Sequence, residues 1–149
     1  MNNFEVDTKN VINLFADLNS RQQKRSYRNA LRKAANILSK EARRQLKREI
    51  GSAINHRNNW NNKTLGSGIK VKVKKDGTEA KVHIMGDFRL KFFEKGTKKR
   101  YLRKSKSYRG KMKALYFFKN AKRNKESEIF SKMDSLLEQS IQKISSKNK

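Results

Sequence analysis

Residues 69–84 read Ile-Lys-Val-Lys-Val-Lys-Lys-Asp-Gly-Thr-Glu-Ala-Lys-Val-His-Ile, and this stretch decides the fold. Apolar and polar residues alternate on both sides of Asp76-Gly77, the period of a half-buried strand, and Asp-Gly is a preferred hairpin turn. Ile69, Val71, Val73, Ala80, Val82 and Ile84 therefore form one buried face. Lys70, Lys72, Lys74 and Lys81 form a basic outer one. A two-stranded ribbon is at best marginal alone, so the apolar face needs a cover.

The cover lies upstream. Ser20 and Gln23 make a capping-box pattern, and Tyr27, Leu31, Ala34, Leu38, Ala42, Leu46 and Ile50 recur at helical spacing up to Gly51. This predicts a helix over 21–50, about 45 Å long, which exceeds what so small a core requires and points part of it toward another chain. Its remaining faces are basic. Before it, Phe4 and Val6 alternate with polar residues, and Asp7 or Thr8 can cap a short helix bearing Val11, Leu14, Phe15 and Leu18.

Between helix and hairpin, residues 52–67 form an Asn-rich loop with a lone Trp60, either an anchor for a neighbouring subunit or a ring packed back on its own domain. After the hairpin, Phe88, Leu90, Phe92 and Phe93 predict a short strand or helical turn. Residues 98–113 carry Lys98, Lys99, Arg100, Arg103, Lys104, Lys106, Arg109, Lys111 and Lys113 with Tyr101, Tyr108 and Gly110 and no acid, which predicts an extended mobile loop. Leu115, Tyr116, Phe117 and Phe118 return the chain to the core. A last helix from about Asn124 places Ile129, Phe130, Met133, Leu137, Ile141 and Ile144 on one stripe, and residues 145–149 fray.

The fold class is thus α+β: a long N-terminal helix and a C-terminal helix packed on a small antiparallel sheet with a central hairpin, plus an extended basic loop. At 149 residues the whole chain, 1–149, is one domain, because two cores would each be too small.

Charge is the dominant compositional feature: 39 Lys and Arg against 13 Asp and Glu leave a formal +26. Such a field opposes compaction unless nucleic acid, anionic lipid or an acidic protein face answers it. No cysteine is present, which removes disulfides, thiolate metal sites and thiol nucleophiles. The N-terminal residues lack a basic segment followed by an apolar one, and no apolar run approaches the roughly 20 residues that span a bilayer, so synthesis and use in the cytoplasm, without membrane contact, are expected.

Catalytic constellations are sparse. His56 and His83 fall in unrelated segments. Asp76 with Glu79 and Lys81 weakly resembles the acid and Glu-x-Lys set with which some nucleases hold magnesium, but Asp76 sits in the turn rather than on a separate strand. No phosphate-cradling glycine loop occurs. No catalytic, metal-binding or cofactor-binding residue is assigned, and no cofactor is expected. The basic loop, with its two tyrosines, suits nonspecific phosphate contact and lacks any named base-reading module.

Phe92-Phe93-Glu94-Lys95-Gly96-Thr97, then a basic loop, then Leu115-Tyr116-Phe117-Phe118-Lys119-Asn120-Ala121 before a terminal helix, resembles the tailed-phage minor tail-component family of neck and tail-completion proteins. In that family an aromatic-Glu-x-Gly-Thr segment precedes a loop and a Pro-Phe segment ending in Ala; here Tyr116 stands where proline is usual. The resemblance implies a structural virion protein with no catalytic residue. It would form a homo-oligomeric ring, a hexamer favoured over a dodecamer, in the neck of the particle and assembled in the host cytoplasm. Its neighbours would be head-closure, tail-terminator or tail-tube proteins, around a channel for double-stranded DNA. Phe93, Glu94, Gly96, Thr97, Phe117 and Phe118 are then structural, while the basic loop and Trp60 meet a partner or DNA. The alternative is a nonspecific nucleic-acid-binding protein.

Overall fold

The computed structural model describes Phe4, Glu5 and residues 20–146. The short helix expected between Asp7 and Leu18 lies outside the described residues, as do residues 147–149 of the tail. The elements run β1 (Phe4–Glu5), α1 (Ser20–Ile50), β2 (Lys70–Val73), β3 (Ala80–His83), α2 (Arg89–Lys95) and α3 (Phe117–Ser145), with 3-10 turns at Gly51–Asn55 and Leu65–Gly68. This is the α+β arrangement expected.

The sheet is antiparallel in the order β1-β3-β2. In the hairpin Val71 faces Val82 and Lys72 faces Lys81, and on the far edge of β3 Phe4 pairs with Val82. Lys74 N–H donates to the Glu79 carbonyl at 2.9 Å, and the Asp76 carboxylate accepts from the Thr78 N–H at 3.0 Å and hydroxyl at 2.7 Å. Register and turn chemistry therefore agree. Ile69, Ala80, Val82 and Ile84 are buried while Lys70 and Lys72 face solvent, so the alternation sends one face inward.

α1 packs on this face and along α3. Tyr27, Ala30, Leu31, Ala34, Ala35, Leu38, Ala42 and Leu46 are all buried, and the four alanines allow neighbouring elements to approach the helix axis closely. Against them stand Phe117, Phe118, Ala121, Ile129, Met133 and Leu137. The length of α1, expected to be in surplus, is taken up within the chain because α3 starts earlier than its periodicity indicates and runs alongside for 29 residues. Phe130, expected on the core stripe of α3, is instead 40% exposed: Ile129, Met133 and Leu137 hold the buried seam at four-residue steps, and Phe130 lies one position off it.

Candidate docking arm and its anchor

Glu94, Gly96, Thr97, Phe117 and Phe118 meet at one joint. α2 ends in Phe93-Glu94-Lys95, and Glu94 is 1% exposed. Its carboxylate accepts from the Phe118 N–H at 2.8 Å and from the Lys119 N–H at 3.1 Å. Those are the second and third residues of α3, whose amides have no carbonyl partner inside the helix. A capping side chain usually comes from the residue just before the helix. That position belongs to Tyr116, whose phenol cannot serve, and the cap is supplied from a position more than twenty residues upstream instead. The backbone doubles the tie: Leu115 N–H donates to the Phe93 carbonyl at 2.9 Å and Tyr116 N–H to the Glu94 carbonyl at 3.1 Å. Tyr116 itself has φ +50°, which a proline ring cannot adopt.

Gly96 and Thr97 turn the chain out of this joint. Gly96 has φ +70° and ψ −172°, a region open essentially only to glycine, and a Cβ there would lie 2.6 Å from the Met112 carbonyl oxygen. Thr97 then staples the base of the loop: its N–H donates to the Met112 carbonyl at 3.0 Å and its hydroxyl accepts from the Met112 N–H at 2.9 Å. Phe117 and Phe118 are each 1% exposed and Phe93 is half-buried against the same core.

From this base, residues 98–113 form a self-paired arm in place of the extended mobile loop expected. Arg109 N–H donates to the Arg100 carbonyl at 2.7 Å and Arg100 N–H to the Gly110 carbonyl at 3.1 Å, so two residues oppose one, a bulge with Gly110 at φ +85°. Tyr101 bridges Tyr108, with ring centroids 5.6 Å apart, and Leu102 N–H donates to the Ser107 carbonyl at 2.9 Å. Lys98, Lys99, Arg100, Arg103, Lys104, Lys106, Arg109 and Lys111 are all exposed, and no cation of the arm makes an ion pair among the described residues. The ladder is a feature the sequence does not signal, since a run of charges has no period of two.

Trp60 belongs to a separate place. Residues 56–65 form a second small hairpin in which Asn58 N–H donates to the Lys63 carbonyl at 3.0 Å and Leu65 N–H to the His56 carbonyl at 3.0 Å. Trp60 is 59% exposed and stacks on Phe88 at 5.1 Å, which meets Phe92 edge-on at 6.0 Å. Beneath, buried Asp87 pairs with Arg89 at 2.7 Å and accepts from the Asn58 amide at 3.3 Å. The Arg89 guanidinium holds the Asp87 carboxyl below the usual carboxylate range. This network fixes the Asn-rich loop to α2, and sequence reasoning missed it because Asn58 lies 29 residues before Asp87 in the chain.

The weak nuclease-like set does not converge. Asp76 is spent on its own turn, and Glu79 is bridged by Lys74 at 2.5 Å and Lys81 at 2.7 Å. His56 and His83 lie on different segments, and no group of three or more His, Asp or Glu able to hold a metal occurs among the described residues. Among the same residues no helix is long and apolar enough to cross a membrane.

No family model matches the chain, and neither a curated protein nor a solved structure matches it.

Proposed function

We propose that this chain is a structural subunit of a tailed-phage particle, a component of the neck or tail-completion ring that joins head to tail. The observation that carries the reading is the joint at Glu94. Most of the residues that mark the resemblance have a mechanical role there: Glu94 caps α3, Gly96 and Thr97 launch the arm, and Phe117 and Phe118 seat the helix in the core. A motif spent largely on holding an arm in place suits a protein that works by docking rather than by chemistry. The exposed Trp60, Phe88 and Phe92 offer a second contact surface, aromatic and flanked by Arg89 as interface anchors commonly are.

Mass spectrometry and electron microscopy of purified particles of the encoding phage test the reading. The expected result is the chain at the head–tail junction in a fixed copy number; absence from the particle ends it. Light scattering on the purified protein gives the ring size.

A further inference from the structure

The arm is a two-stranded ribbon, and its chemistry identifies what it grips. We propose that residues 98–113 lie in a groove of double-stranded DNA and bind its phosphates without reading sequence. The inference does not rest on the virion reading, since a ribbon that grips DNA would do so in a ring or free.

Three observations on the arm carry it. First, the ladder sets Arg100 against Arg109 across the ribbon, with no acid between Glu94 and Glu126 in the sequence. Like charges directly opposite destabilise a strand pair, and a polyanion removes the repulsion. Second, Lys106 at the tip has φ +56° and closes the turn through its N–H to the Leu102 carbonyl at 3.0 Å. The hairpin at 56–65 uses the same turn, with Asn62 at φ +53° donating to the Asn58 carbonyl at 3.1 Å. Asparagine tolerates that left-handed position better than lysine does, so strain is kept at the tip in return for a cation there. Third, the cations are distributed along both strands and the tip, as a groove with phosphates on either wall demands; a flat acidic protein face would satisfy one side only.

Dimensions agree. Strands of about six residues extend roughly 20 Å, and the major groove, about 12 Å wide, admits a two-stranded ribbon. Single strands are disfavoured because their binding uses rings presented flat to the bases. Tyr101 and Tyr108, although 57% and 55% exposed, are packed on each other, so each ring gives part of its face to its partner, and the single-stranded arm of the test below decides the point.

The test is fluorescence anisotropy with a labelled random-sequence duplex, the same sequence single-stranded, and polyglutamate as competitor, on the full chain between about 50 and 200 mM salt. Duplex binding that weakens steeply with salt is expected. Replacing Arg100, Arg103, Lys104 and Arg109 by glutamine is expected to reduce the slope of log K against log salt by about 3–4. Lys106→Asn, which suits the turn but loses the charge, is expected to weaken binding without lowering the denaturation midpoint, and decides the matter should the fourfold variant fail to fold. An unchanged slope, tighter binding to single strands, or polyglutamate displacing the duplex would each overturn the proposal. Particle composition is untouched by these outcomes, so the virion reading stands or falls separately.

Discussion

Replacing Glu94 by alanine probes the joint most directly. The substitution leaves the Phe118 and Lys119 amides without the acceptors now at 2.8 and 3.1 Å, the first of them in a buried setting. A buried donor left unsatisfied costs about 1–3 kcal/mol, and these two sum to about 3 kcal/mol when the second is discounted for its partial exposure. For a chain near 150 residues that corresponds to a fall in Tm of about 6–12 °C. Glu94→Gln keeps one carbonyl oxygen as acceptor and should lose about half as much. Urea denaturation followed by far-UV circular dichroism measures both, and the midpoint should move while the slope m stays constant. A Glu94→Ala protein within about 0.5 kcal/mol of the parent, the range of an ordinary surface change, would refute the idea that this carboxylate holds the start of α3.

Further perturbations probe other parts of the molecule. Gly96→Ala combines a glycine-only backbone conformation with a Cβ 2.6 Å from the Met112 carbonyl, and should cost at least about 2 kcal/mol in the same denaturation assay. Glu41 is buried on α1 and bonded by Arg44 at 2.7 Å and by Gln45 at 2.9 Å; the Arg44 guanidinium holds its carboxyl down at about 2 from an ordinary 4.5. A depressed folded pKa gives stability that is present above the unfolded value and lost as pH falls through the folded one. The chain should therefore lose about 1–2 kcal/mol between about pH 4.5 and 2, the exposure of Arg44 limiting the amount, and Glu41→Gln should flatten that limb of a pH-dependent melting series. Asp87→Asn breaks the pair with Arg89 and loosens the hairpin that carries Trp60; a loss of about 2 kcal/mol and a change in Trp60 emission at lower urea than the circular dichroism transition are expected.

The parts of this fold that are legible in the sequence are those whose determinants are local. The β2–β3 hairpin announces itself by a period of two around Asp76-Gly77, and α1 by apolar residues at helical spacing up to Gly51, both within a few residues of where the structure puts them. The periodicity of α3 becomes clear only from about Asn124, yet the helix begins at Phe117, since its cap is Glu94 and no local pattern can reveal a cap so distant in sequence. One trace exists: Glu94 is the sole acid between Asp87 and Glu126, and an isolated acid in so basic a stretch has a reason to be there. The ladder of the arm is hidden because every position can face water and none is selected by burial. The network under Trp60 joins Asn58 to Asp87 and Arg89 from a segment 29 residues further on, each unremarkable alone.

The joint has a bearing on how such a chain can change over generations. Because both ends of the arm are clamped, at Gly96–Thr97 on one side and Met112–Tyr116 on the other, the intervening residues form a cassette whose length and composition the body does not sense. Even a replacement with no pairing of its own would cost little to close, since doubling a flexible loop adds only about 0.6 kcal/mol. Insertions, deletions and wholesale replacement of the cassette are therefore compatible with an unaltered scaffold, so the surface presented to a partner can diversify while helices and sheet stay fixed.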